Sequence, residues 1–204
     1  METKPVNTGE AKIRRKKLDT PRSQLDRSDW IELAIDTLAK EGVGGLRIEL
    51  LAKRRGVTKG SFYWHFRDRR DLQLAVLEHW KTGRIQDIEK VTHCPPGQEN
   101  QQLQHAIDVY GASRNRKGMS IELAIRDWAR HDPEAASIVE QVDLYRLECT
   151  RRLFIATGLS EADAKSRSLL LYACVFGLSL MFYNRFDENI PGLKQNIAER
   201  ILSV

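Results

Sequence analysis

The chain has 204 residues, 41% of them hydrophobic, and its 33 Lys and Arg against 28 Asp and Glu give a formal net charge of +5 at pH 7. That length and content can bury a real core. The three cysteines, Cys94, Cys149 and Cys174, are odd in number and scattered, which argues against a disulfide framework or a zinc site and for a reducing, cytoplasmic setting.

In chain order, residues 1–27 carry the run Ile13-Arg14-Arg15-Lys16-Lys17 between polar and Pro-containing segments with no apolar periodicity. They read as a disordered basic arm, without the apolar stretch of a signal peptide. Such an arm either follows a DNA minor groove or is merely a solvated tail. Ser28 is a candidate helix cap, and Ile31, Ala34, Ile35, Leu38 and Ala39 follow with the spacing of one buried face. Gly42, Gly44 and Gly45 interrupt. Leu46, Ile48, Leu51 and Ala52 then predict a second short helix ending at Gly56, and Thr58 is placed to cap a third. Two short helices joined by a glycine-containing turn make a helix-turn-helix unit. Phe62 and Phe66, one helical turn apart, point into the core, leaving Gly60, Ser61, Tyr63 and Trp64 to face outward. Taken singly, Trp64 reads equally well as a packing residue and His65 as a satisfied core histidine. At this spacing, together, they read as a binding surface.

The run Trp30, Ala34, Gly42, Leu46, Leu51-Ala52, Gly56-Val57-Thr58-Lys59-Gly60-Ser61-Phe62-Tyr63-Trp64-His65-Phe66, Arg69 and Leu72 resembles the N-terminal domain of TetR-type (tetracycline-repressor-like) transcriptional regulators over about residues 28–80. The resemblance implies an all-α fold of about nine helices. A helix-turn-helix DNA-binding domain over 28–73 would join a larger helical regulatory and dimerisation domain over 74–204. It also implies that Lys59, Gly60 and Ser61, following Thr58, read base edges. Tyr63 and His65 would grip phosphates, with Trp64 and Arg69 touching the DNA backbone. Arg47 and Ile48 stand where the family usually has hydroxyl residues; Arg47 offers a positive charge there instead. Residues 1–80 hold 17 Lys or Arg against 12 Asp or Glu, and the remainder is neutral. The whole excess therefore lies in the half expected to meet DNA.

Beyond the third helix, Leu72 to Ile88 continue as one long helix stopped by Cys94-Pro95-Pro96-Gly97. Further helices are predicted near 101–112, before a polar loop at 113–118, and from Ser120 to about Arg130. Another runs from Asp132-Pro133 to Gly158, one from the capping-box-like Ser160-x-x-Asp163 to Tyr183, and a last one follows Pro191. From Ser168 to Asn184 there is no charge, yet the stretch falls short of the roughly 20 apolar residues of a membrane span. It is covered either within one subunit or by a second copy of the chain. Leu170, Ala173, Cys174, Gly177, Leu178 and Met181 are the candidate contacts of a homodimer.

By the same resemblance an unidentified small-molecule effector would occupy an internal cavity. Tyr110, Trp128, Tyr145, Phe154, Tyr172 and Phe176 are its candidate aromatic lining, and His105, Arg126 and Arg146 its candidate polar partners; taken residue by residue, ordinary core aromatics and surface charge account for them more readily. No phosphate loop, His-Glu-x-x-His helix or nucleophile elbow occurs, so enzyme chemistry has little support, and no metal or other cofactor is implied. Three readings follow. The first is a repressor that binds a (pseudo)palindromic double-stranded operator as a homodimer and is released by a ligand. The second is an activator or ligand-independent regulator of the same architecture. The third is an enzyme with a helical pocket.

Overall fold

A computed structural model describes residues 25–111 and 116–203. Asp26 opens the first helix, α1 (Arg27–Glu41), because its carboxylate accepts the backbone N–H of Asp29 at 2.8 Å while the Asp29 carboxylate accepts that of Asp26 at 2.9 Å. This reciprocal box satisfies two N–H groups that no helical carbonyl can reach. Ser28, the expected cap, instead donates its hydroxyl to Asp26 at 2.7 Å. Helix α1 thus begins before the expected boundary of 28, and Leu25 is already buried. The rest of the basic arm, residues 1–24, lies outside the described residues.

One turn of 3-10 helix at Val43–Gly45 leads to α2 (Ile48–Arg55). Leu46, expected in that helix, is fully buried just before it, and Arg47 holds the N-cap position with no side-chain cap bond. Gly45 is required by a close approach: a Cβ there would stand 2.8 Å from the Cβ of Glu41 and 3.0 Å from the Thr37 methyl. Arg54 fixes the same junction, donating to the Thr37 hydroxyl at 2.9 Å and to the Glu41 carboxylate.

Helix α3 (Lys59–Tyr63) is short, and α4 (Arg69–Thr92) is long. Asp68 caps α4, accepting Asp71 N–H at 2.9 Å. The helix passes through the expected domain boundary at 73/74 without a break. Its buried residues Leu72, Val76, Leu77, Trp80 and Ile88 join one core running from Trp30 and Phe62 to Ile125, Trp128 and Val142. The helices that follow are α5 (Glu99–Gly111), α6 (Arg116–Ala129), α7 (Pro133–Ala156), α8 (Glu161–Leu180) and α9 (Ile190–Leu202). Among the described residues the fold is all-α, with nine α-helices as expected.

Helix α7 is the central element, packed against α4, α5, α6 and α8, while α6 also packs against α1. A second core joins α5, α7, α8 and α9 around Leu103, Phe154, Leu171, Tyr172 and Ile201. Two boundaries differ from expectation. Helix α6 starts at Arg116 rather than Ser120, and Lys117 in its first turn pairs with Asp36 of α1 at 2.8 Å. Helix α8 stops at Leu180 rather than Tyr183, the backbone becoming extended at Met181. Composition gives no warning of that end, because Met181-Phe182-Tyr183 is as apolar as what precedes it.

Only one side of α8 is covered. Ala164, Ser168, Leu171 and Tyr172 are buried, whereas Leu169, Leu170, Leu180 and Met181 are 49–63% exposed. Among the described residues no helix is long and apolar enough to cross a membrane, and no cluster of His, Cys, Asp or Glu could hold a metal.

Candidate nucleic-acid interface

The turn between α2 and α3 is built on Gly56, whose φ of 66° lies in the left-handed region that a residue with a Cβ resists. Gly56 N–H donates to Lys53 O at 3.2 Å and Val57 N–H to Ala52 O at 3.0 Å, closing the carbonyls that α2 leaves open. The chain then extends through Thr58, whose carbonyl accepts Ser61 N–H at 3.1 Å. Thr58 occupies the N-cap position as expected, but its hydroxyl makes no cap bond and is left exposed.

Helix α3 is held from behind by rings. Phe62 is fully buried, edge-on to Trp30 and stacked on Phe66, with both ring centroids 5.3 Å away. Arg27 lies over the far ring, 4.7 Å from the Phe66 centroid. This packing turns the other residues of α3 outward. Lys59 and Gly60 are exposed and Ser61 is half-buried. Tyr63 lies edge-on to Phe62 yet is 56% exposed, and Trp64 is 85% exposed. A large ring left in water beside a rigid aromatic anchor suits a surface that awaits a partner.

Not every candidate side chain is idle. Lys59 pairs with Glu49 of α2 at 2.8 Å, a contact that raises the lysine pKa and lowers that of the carboxylate. Arg69 donates to the carbonyl of Val43 at 2.9 Å, tying α4 to the 3-10 turn. Arg47 is exposed, and His65 is half-buried. Glu49 was not anticipated, since ten residues separate it from Lys59 and no helical spacing relates them. Charge is also distributed more sharply than the halves suggest. Residues 47–69 hold seven Lys or Arg against two Asp or Glu, while residues 1–24 hold seven against three. Residues 25–46 and 70–80 are net negative. Among the described residues the excess positive charge is therefore concentrated on the helix-turn-helix segment itself.

Residues 31–76 match the family model described as bacterial regulatory proteins, tetR family. Over this stretch the chain forms a tetR-family N-terminal domain. The HTH-type transcriptional regulator AcrR of Shigella flexneri is 36% identical over 56 residues, 28% of this chain and 26% of that protein. The class A tetracycline repressor protein from transposon 1721 of Escherichia coli is 41% identical over the same length and shares. The match thus spans about a quarter of the length of these relatives. The likeness of fold extends further. A transcriptional regulator from Rhodococcus sp. Rha1 superposes with a TM-score of 0.68 at 20% identity, over 87% of this chain and 94% of that one. The FadR regulator of Bacillus subtilis, solved in complex with stearoyl-CoA, superposes with a TM-score of 0.61 at 14% identity, over 87% and 98%. The rest of the chain is accordingly a helical bundle with the same fold as these solved structures.

In that bundle a cavity of about 620 Å³ opens between α5, α6, α8 and α9. Ile107, Met119, Leu123, Val175, Leu178 and Ile197 supply its apolar wall, and Asp108, Ser120, Ser179, Lys194 and Gln195 its polar positions. None of the nine residues expected to line a ligand cavity lines this one. Trp128 is buried and donates its indole N–H to Asp132 at 3.0 Å, and Phe154 is sealed in the second core. The Tyr145 hydroxyl donates to Glu89 at 2.8 Å, a bond that with burial pushes its pKa up to about 12. His105 is exposed, and the Tyr110 side chain lies outside the described residues. Arg126 is engaged by Glu122 and Asp143. For Trp128 and Phe154 the physical reason is the same: large rings at the centre of a packed bundle fill space rather than enclose it. Arg146, Tyr172 and Phe176 do border a smaller cavity of about 20 Å³. Of the expected dimer contacts, Cys174, Leu178 and Met181 line the large cavity, while Leu170 and Ala173 are exposed and Gly177 is half-buried, with open space around it.

Proposed function

We propose that the chain represses transcription by occupying a (pseudo)palindromic operator as a homodimer, and that a small molecule bound in the bundle releases it. The observation that carries this reading is the exposed stretch from Thr58 to His65, anchored behind by buried Phe62 and Phe66. A short helix presenting Lys59, Gly60 and Ser61 fits the floor of the major groove, where lysine finds guanine acceptors and small residues allow close approach. Tyr63, Trp64, His65 and Arg47 flank it at the height of the phosphate ridges, and these contacts set register rather than sequence preference. Arg69, committed to Val43, acts by holding the unit rigid or by exchanging that carbonyl for a phosphate.

The uncovered side of α8 supports a second copy of the chain as its partner. Leu169, Leu170, Leu180 and Met181 would be buried about a twofold axis, and Ala173 and Gly177 would let backbones approach. The 620 Å³ cavity has the size of a small-molecule site. An effector there shifts the equilibrium only by preferring a bundle geometry in which the paired reading helices no longer match the groove. The test is a gel shift with the DNA fragment upstream of the protein's own gene at low and high salt. A retarded band that weakens with salt and competes poorly with unrelated DNA is expected. No sequence preference at any salt overturns the proposal.

A further inference from the structure

The small cavity beside the large one is bordered by Arg84, Glu122, Arg146, Tyr172 and Phe176 and shares two wall residues, Met119 and Val175, with the 620 Å³ chamber. Arg146 is 3% exposed. A guanidinium carries five N–H donors, yet among the described residues the Arg146 side chain makes one hydrogen bond, a long one of 3.3 Å from Nη1 to Glu122. Asp143 stands further off at 3.6 Å. Its Nε–H has no acceptor among the described residues. Neighbouring Arg126 contrasts with it, holding Asp143 in a fork at 2.8 and 2.5 Å and Glu122 at 3.0 Å. The carboxylates of this cluster are therefore committed mainly to Arg126, and Arg146 is left under-satisfied. Its guanidinium is steadied by the rings of Tyr172 and Phe176, at 5.3 and 5.2 Å.

Buried donors without acceptors are rare, and a missing ligand or water is one of their recurrent causes. A space of about 20 Å³ accepts one water or one oxygen-bearing head group. Two guanidinium groups border it, Arg84 and Arg146, against the single carboxylate of Glu122; Arg84 is itself paired with Asp87. With Asp87, Glu122 and Asp143 set against Arg84, Arg126 and Arg146 the charges balance, so it is the spare donors of Arg146, rather than an excess of charge, that favour an acceptor. The shared wall at Met119 is an unbranched, adaptable side chain, so a molecule in the large chamber can reach through it.

We infer that the effector is an apolar molecule bearing a carboxylate, whose head is held by the spare donors of Arg146 while its body fills the chamber behind Met119 and Val175. The inference rests on the effector site proposed above and names the ligand's chemistry. A charge-assisted bond in a dry site discriminates strongly between a carboxylate and the corresponding alcohol.

Calorimetric titration of the full chain, without DNA, with decanoate against decanol and naphthoate against naphthalenemethanol tests it. At least one carboxylate is expected to bind about ten-fold more tightly than its alcohol. Arg146→Gln should erase that preference, bringing carboxylate and alcohol to about the same affinity. Met119→Trp, which closes the shared wall without touching the charges, should also erase the preference, whatever it does to the affinity of both ligands for the chamber, and serves if Arg146→Gln loses its helical signal. The inference is overturned if neither carboxylate outbinds its alcohol in the unaltered chain, or if the preference survives in a folded variant. A carboxylate preference without operator binding in the gel shift counts against the proposed function alone. Operator binding without a carboxylate preference counts against this inference alone.

Discussion

Arg70, in the first turn of α4, and Asp132, the cap of α7, meet at 2.5 Å across 62 residues of chain. Asp132 also accepts the Trp128 indole N–H and caps α7 through Glu134 and Ala135 N–H, while Arg70 reaches Glu134 as well. One carboxylate thus joins the helix leaving the DNA-reading unit to two helices of the bundle. Removing it should cost both a cap and a partly buried ion pair. Asp132→Ala is expected to lower stability by about 2 kcal/mol, read from urea unfolding. An unchanged midpoint would show the contact to be idle.

The same contact sets an acid limit. Arg70, first among several causes, holds the Asp132 carboxyl well below the usual carboxylate range. A depressed folded-state pKa gives stability that is present above the unfolded value of about 4 and is lost as pH falls through the folded one. The urea midpoint should therefore stay level in this respect down to about pH 4 and fall below it. The decline should be shallower in Asp132→Asn.

Lys59 and Glu49 form a pair in the unbound protein that DNA must compete with. Lys59→Ala is expected to relax base preference by about 1–3 kcal/mol at one position of each half-site, measured by competition with altered operators. Glu49→Gln should instead raise affinity for all duplexes and steepen its salt dependence, because an acidic group leaves the approach surface. Equal effects on every sequence from Lys59→Ala would place that lysine on phosphate instead.

Trp64 offers a clean separation of stability from binding. At 85% exposure, Trp64→Ala should change unfolding free energy by no more than about 0.5 kcal/mol. It should weaken operator binding across all sequences alike. Gly45→Ala is the converse case: its new Cβ would press on Glu41 Cβ at 2.8 Å, near a helix backbone rather than at a flexible tip. A loss of about 1–3 kcal/mol is expected by thermal or urea unfolding.

The apolar face of α8 yields an assembly prediction. The unaltered chain should sediment as a dimer at micromolar concentration, and Leu170→Lys, placing a charge where Leu170 is 49% exposed, as a monomer with its helical content intact. Monomers from the unaltered chain would mean that the face is covered otherwise or left bare.

The order and number of helices were legible because periodicity, caps and breakers agreed over most of the chain. Phe62 and Phe66 were legible as core for the same reason, sitting one turn apart on opposite flanks of an exposed stretch. What escaped was non-local. The cap at Asp26 displaced Ser28 because reciprocal bonding with Asp29 satisfies more donors than a lone hydroxyl does. Glu49 meets Lys59 only through the geometry of a turn. The large cavity lies between α5, α6, α8 and α9 and is bounded mostly by aliphatic and polar residues, while Trp128 and Phe154, which drew attention in the sequence, are packed in the cores. An aromatic inventory marks where a bundle is full, not where it is hollow.

Helix α4 spans 24 residues without interruption, from the reading unit to the far end of the bundle. At about 1.5 Å per residue it is a rod of roughly 36 Å. Pivoting it by about 5° carries its tip some ~3 Å sideways, by the same rise per residue. A swing of that size relative to the bundle would have to part Arg70 from Asp132, so the pair that fastens the first turn of α4 also restrains the reading helix beside it.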